Sequence, residues 1–214
     1  MGNFQQSQFL HQSVLLYIHG KGGSAEEAGH YRKLFSFCDI VGLDYKSFTP
    51  WGAGKEIRER VHLLKGKCKN IFLIANSIGA FYSMNAGIER DIIHAWFISP
   101  IVDMERLIAD RMKQVNLSES ELREKGVIKT DLGDELSWEY LCYIRENPIE
   151  WKVPTDILYG SEDTLTPLDA ITAFSKNDRR SLTVMKGGEH WFHSKEQMQF
   201  LDEWIQRTSK TLRT

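Results

Sequence analysis

Apolar residues recur along this chain in two rhythms. Short unbroken runs such as Val14-Leu15-Leu16-Tyr17-Ile18 and Ile71-Phe72-Leu73-Ile74-Ala75 show no polar alternation. Strands covered on both faces read this way. The runs predict strands over 14–18, 37–43, 70–75, 93–99, 155–160 and 181–186. Between them the apolar period lengthens to that of a helix. Ile57, Val61 and Leu64 recur at i, i+4 and i+7. Ser24-x-x-Glu27 is a capping box for a helix to about Phe35, and Ser194-x-x-Gln197 is another, ahead of a stripe of Met198, Leu201, Trp204 and Ile205. Thr166-Pro167 with Asp169 reads as an N-cap, a proline at the first helical position and an acid in the first turn. Strands alternating with helices predict an α/β fold with a mainly parallel sheet of about six strands and helices on both faces.

The rhythm breaks between Pro100 and Trp151. A crossover needs ~10–12 residues, and this stretch is several times longer. Met104, Leu107, Ile108, Met112 and Val115 form one helical stripe, and Trp138, Leu141, Cys142 and Ile144 suggest a second. With 214 residues the chain fits a single domain, 1–214. Its 27 basic and 29 acidic residues leave a net charge of −2, which gives no electrostatic case for nucleic acid or an anionic membrane. No apolar run approaches the ~20 residues of a membrane span. The glutamine-rich start, Met1 to Ser13, lacks the cationic and apolar regions of a secretory leader. Cys38, Cys68 and Cys142 are scattered, odd in number and without metal-ligand spacing, so free thiols in a cytoplasmic protein are expected.

The candidate chemistry sits at strand ends. Ala75-Asn76-Ser77-Ile78-Gly79 follows the third apolar run and opens an amphipathic one. Strand, sharp turn and helix with a hydroxyl at the apex expose that hydroxyl above the sheet, beside backbone N–H groups that face the open end. Small residues at 75 and 79 let strand and helix backbones approach; the first position of G-x-S-x-G is Ala75 here. The strand at 155–160 runs into a loop with Glu162 and Asp163, and the strand at 181–186 ends in Gly187-Gly188-Glu189-His190. The first strand leads into His19-Gly20-Lys21-Gly22-Gly23-Ser24. The order serine, acid, histidine is the one found on one particular triad fold.

With these four motifs in that order, the chain resembles the α/β-hydrolase superfamily over roughly residues 14–205. The resemblance implies a serine hydrolase with Ser77 as nucleophile, His190 as base and Asp163 as the acid that orients it. It implies an oxyanion hole from the backbone N–H groups of Lys21 and Ile78. It also implies that the insertion over about 103–150 is a small helical cap, whose Trp138, Tyr140 and Tyr143 could line an acyl pocket; the alternative is a packing excursion on the sheet edge, and each of these rings taken singly reads as core. A carboxylesterase acting on small esters, with no cofactor and no metal, is the expectation. Thioesterase, C–C hydrolase and small-peptide hydrolase chemistry use the same parts, and a non-catalytic binding protein on the same fold is the rival of a different class. The expected partner is a small molecule with an acyl group, with neither nucleic acid nor membrane.

Position separates the competing residues. Asp156 falls at a strand start and Glu162 beside the favoured Asp163. His193 lies just before the Ser194 cap, whereas His190 directly follows the Gly187-Gly188 loop. His19 is expected to bond nearby backbone. Two phosphate-loop lookalikes fail: Gly52-Ala53-Gly54-Lys55 is followed by Glu56 where a hydroxyl would hold Mg²⁺, and Gly20-Lys21-Gly22 has only Asp44 as a loosely spaced ribose acid.

Overall fold

The computed structural model describes residues 12–131 and 135–212. The glutamine-rich start lies outside them as far as residue 11. Six strands form one sheet: β1 (Ser13–Ile18), β2 (Asp39–Leu43), β3 (Asn70–Asn76), β4 (His94–Ile98), β7 (Thr155–Gly160) and β8 (Arg180–Met185). Their order is β2-β1-β3-β4-β7-β8 and every pairing is parallel. The apolar runs are continuous because helices cover both faces. Val14, Leu16, Ile18, Leu73 and Ala75 pack with α1 (Pro50–Lys65) and α2 (Ile78–Met84), through Ile57, Val61 and Phe81. Leu15, Tyr17, Phe72, Ile74 and Trp96 point the other way. They meet a 3-10 helix (Ala25–Lys33) and α7 (Lys195–Thr208), through Tyr31, Leu201 and Trp204.

The register decides where chemistry can be placed. The chain runs from β1 to its neighbour on one side, then crosses to β3 on the other. The carboxyl ends of β1 and β3 therefore flank a topological switch point, where crevices form in such sheets. Ile18 pairs with Ala75, so His19-Gly20 emerges beside Asn76-Ser77. Gly160 pairs with Met185, which sets the loops after β7 and β8 side by side.

Two local expectations differ from what forms. The segment after Ser24 winds as a 3-10 helix although its capping box is present. Ties to distant residues hold it: Ala25 N–H donates to Asp44 Oδ1 at 2.6 Å, and His30 meets Asp202 Oδ1 at 2.6 Å. Helix α6 (Leu168–Ser175) starts one residue later than expected, with Pro167 at the cap. Thr166 instead turns its hydroxyl inward to donate to the Pro100 carbonyl at 3.0 Å.

Residues 103–150 form α3 (Met104–Gln114), α4 (Glu119–Lys125), α5 (Trp138–Glu146) and a separate antiparallel pair, β5 (Val127–Lys129) with β6 (Glu135–Ser137). Arg145 ties the helices together, reaching Glu105 at 2.6 Å and Glu119 with both terminal nitrogens at 2.9 and 2.6 Å. Of the two places open to the aromatic residues, acyl pocket or core, they take the core. Tyr140 and Tyr143 pack against Trp51 of α1, with ring centroids 6.1 and 5.1 Å away, and Trp138 lies under Arg123. These rings extend the core on the α1 face.

Candidate active site

Ser77 occupies the turn between β3 and α2 with φ 50° and ψ −121°. A non-glycine residue rarely adopts this conformation, which costs of order 1–3 kcal/mol and persists only when the surroundings fix it. They do so here. Ser77 N–H donates to the Ile98 carbonyl at 2.9 Å, and the Ser77 carbonyl accepts from Ala80 and Ile101 at 3.1 and 3.2 Å. Gly79 makes the turn possible, since a Cβ there would lie 2.4 Å from the His19 carbonyl oxygen. The hydroxyl is thereby aimed away from the backbone and towards the loops after β7 and β8.

Those loops are drawn together by a second close approach. A Cβ on Gly160 would lie 2.3 Å from the Gly188 carbonyl oxygen, so only glycine lets the two backbones touch. Asp163 then faces His190, with Oδ2 2.7 Å from Nδ1. Asp163 Oδ1 accepts from the backbone N–H groups of Leu165 and Thr166 at 2.8 and 3.1 Å, which locks the carboxylate plane. Its side chain is fully buried and that of His190 is 16% exposed. A carboxylate only accepts, so His190 Nδ1 carries the proton and Nε2 presents a lone pair. Nε2 lies 2.7 Å from Ser77 Oγ. Hydroxyl, imidazole and carboxylate form one unbroken chain.

The competing residues are not part of that chain. Asp156 bonds His94 Nε2 at 2.9 Å and Ser181, at the opposite end of the strands. Glu162 is exposed. His193 bonds the Trp191 carbonyl through Nδ1 at 2.7 Å. His19 is buried, stacks on Tyr45 at 4.3 Å and meets the Gly20 carbonyl through Nδ1 at 2.7 Å, bonding nearby backbone as its position suggested. Asp44 serves the 3-10 helix rather than a ribose.

The loop after β1 closes as a turn, with Gly23 N–H donating to the Gly20 carbonyl at 3.2 Å and Gly22 at φ 78°. Positive φ at the third position of such a turn favours glycine. Lys21 thus sits at the apex, on the rim of the cavity that holds Ser77 and His190. Ile78 follows Ser77 as the first residue of α2. The cavity is about 810 Å³, and its walls come from the Gly20 turn, the 3-10 helix, the His190 loop and α7. Among the described residues no side chain from 103–150 lines it.

One element of the site was not read from the sequence. Tyr17, at the end of an apolar run, is buried and donates to the Glu27 carboxylate. Burial first, then Tyr31 and Glu27, hold its phenol above the usual tyrosine range, so it stays neutral. Its oxygen accepts from Asn76 Nδ2 at 2.8 Å. Because Glu27 as a carboxylate only accepts, the polarity of the chain runs from Asn76 through Tyr17 to Glu27, and this fixes the residue preceding Ser77. A hydroxyl interrupting a core run was the only signal in the sequence.

No family model matches the chain, and no curated protein matches it in sequence. Solved structures do match in shape. Est1E from Butyrivibrio proteoclasticus has 18% identity and a TM-score of 0.73, over 92% of this chain and 86% of that one. Alpha/beta hydrolase domain-containing protein 10 from mouse has 16% identity and a TM-score of 0.70, over 93% and 90%. An esterase from Pyrococcus furiosus has 20% identity and a TM-score of 0.62, over 95% and 82%. With the parallel sheet and its helices, these likenesses establish the α/β-hydrolase fold for the chain.

Proposed function

We propose that this protein is a serine hydrolase that cleaves carboxylic esters of small molecules through an acyl-enzyme. One observation carries the reading: the Ser77–His190–Asp163 chain, at 2.7 Å per link, begins at a strained turn and opens into a cavity large enough for a small substrate.

In this reading His190 Nε2 removes the Ser77 proton as Oγ attacks the ester carbonyl, whose π electrons move onto oxygen. The backbone N–H groups of Lys21 and Ile78 stabilise that oxyanion. When the tetrahedral species collapses, the bond to the leaving oxygen breaks and the oxygen takes the proton from Nε2. Water repeats the sequence on the acyl-enzyme, with His190 as base and then acid. Asp163, held by Leu165 and Thr166, keeps the imidazole in the useful tautomer and stabilises the imidazolium.

The fold hosts many chemistries, so the choice of ester rests on the site. An ester carbonyl is less resonance-stabilised than an amide's, and its alkoxide leaves with the single proton that Nε2 carries. In the cavity Glu27 is already engaged with Tyr17 and the Ser24 N–H. Free Cys38, Cys68 and Cys142 support a reducing, cytoplasmic setting. Burial, then Asp39, pushes the Cys38 thiol up to about 12, so it stays protonated. None of the described helices is long and apolar enough to cross a membrane.

The test is a matched panel: p-nitrophenyl esters of increasing acyl length, with the thioester and the anilide of the same acyl group. Esters are expected to give the highest kcat/KM. A clear preference for the thioester or the anilide would replace ester hydrolysis with that chemistry, and no turnover of any member would favour a binding role.

A further inference from the structure

We infer that the alcohol part of the substrate carries a flat aromatic ring, which stacks on Trp191 at the mouth of the cavity. The inference rests on the ester-hydrolase reading of the Ser77 site and names the side of the substrate that the site selects.

Trp191 directly follows His190 and is 73% exposed, although it lines the cavity. A single exposed apolar side chain is ordinary on a protein surface. What sets this one apart is that it is held in place. Its indole stacks on the His193 imidazole, with centroids 4.5 Å apart and planes inclined by 20°. The His193 ring is fixed by its Nδ1 contact to the Trp191 carbonyl at 2.7 Å, and its backbone N–H donates to Gln197 Oε1 at 3.1 Å. Gln197 is itself buried in the capping box of α7, and its Nε2 donates to Glu189 at 3.3 Å. The loop from 189 to 194 is thereby laced to a helix that packs on the sheet. The platform exists before any ligand arrives, so a ring that stacks on it costs little ordering.

Reaction geometry places the alcohol there. The leaving oxygen must take its proton from His190 Nε2, so it departs on the His190 side of Ser77. The oxyanion turn at Gly20–Gly23 lies on the β1 side. The group attached to the leaving oxygen therefore emerges on the side of the cavity lined by the His190 loop, where Trp191 is the exposed ring. One face of the indole is covered by His193. A ligand on the other face extends a stack of two aromatic rings to three. Offset aromatic pairs gain beyond area burial by an amount equal to roughly a two- to twelvefold preference over an aliphatic ring of the same size.

Benzyl acetate and cyclohexylmethyl acetate share their acyl group and differ little in leaving-group size and acidity. The wild type is expected to favour the benzyl ester in kcat/KM by roughly two- to twelvefold, with the difference in KM rather than kcat. Trp191→Ala should bring the ratio close to one, and Trp191→Phe should retain a preference. Equal rates in the wild type, or a benzyl preference that survives Trp191→Ala, would overturn the inference. Should neither ester be hydrolysed, the ester-hydrolase reading fails separately. Saturation-transfer NMR with benzyl alcohol and cyclohexylmethanol then decides the platform. Tighter benzyl alcohol binding that is lost in Trp191→Ala supports it, and equal binding of the two alcohols sinks it.

Discussion

Replacing Ser77 with alanine is expected to lower kcat on a good ester substrate by about 10⁶-fold while leaving the fold intact. Loss of the nucleophile of a hydrogen-bonded triad has this scale, because the members act as a unit. What remains would come from binding and the oxyanion N–H groups alone, about 10³–10⁴ over water. Alanine at this position keeps the backbone bonds from Ser77 N–H to Ile98 and from Ala80 and Ile101 to the Ser77 carbonyl. The variant should therefore melt close to the wild-type temperature. Steady-state kinetics and a thermal melt on the same sample separate lost chemistry from lost structure. A residual rate within tenfold of the wild type would remove Ser77 from the mechanism.

Asp163→Asn should cost about 10⁴-fold in kcat with little change in stability. The two carboxylate oxygens have different tasks. Oδ1 accepts from the N–H groups of Leu165 and Thr166, so an asparagine must place its oxygen there. Its NH₂ group then takes the position of Oδ2 and faces His190 Nδ1. Two donors oppose each other unless the imidazole moves its proton to Nε2, and that tautomer has no lone pair to offer Ser77 Oγ. Glu162→Gln, on the exposed neighbour, should leave kcat where it is. If the two variants behaved alike, the buried carboxylate would not be what orients the base.

The frame of the fold was legible because burial on both faces leaves an unbroken apolar signature. The runs at 14–18, 70–75 and 155–160 mark their strands to within a residue. Ser77, Asp163 and His190 were legible for a related reason, since each sits within a few residues of a strand end and a parallel sheet gathers those ends. What the sequence hid depends on distance in space. The Asn76–Tyr17–Glu27 chain joins residues 59 and 10 positions apart, with no local pattern to announce it. The excess length of 103–150 was plain. Its apolar stripes could not say which neighbour they would meet, and Tyr140 and Tyr143 went to Trp51 rather than to the cavity. Thr166 read as a cap because the pattern Thr-Pro-x-Asp cannot register the Pro100 carbonyl that captures its hydroxyl.

Whether Ser77 is an activated nucleophile can be measured without knowledge of the substrate. The wild-type protein is treated with a fluorophosphonate, and the adduct is located by intact-mass and peptide mass spectrometry. A single addition per chain is expected, on Ser77, and it should disappear when the protein is unfolded before treatment. No adduct on the folded protein, or one on a different serine, would contradict it.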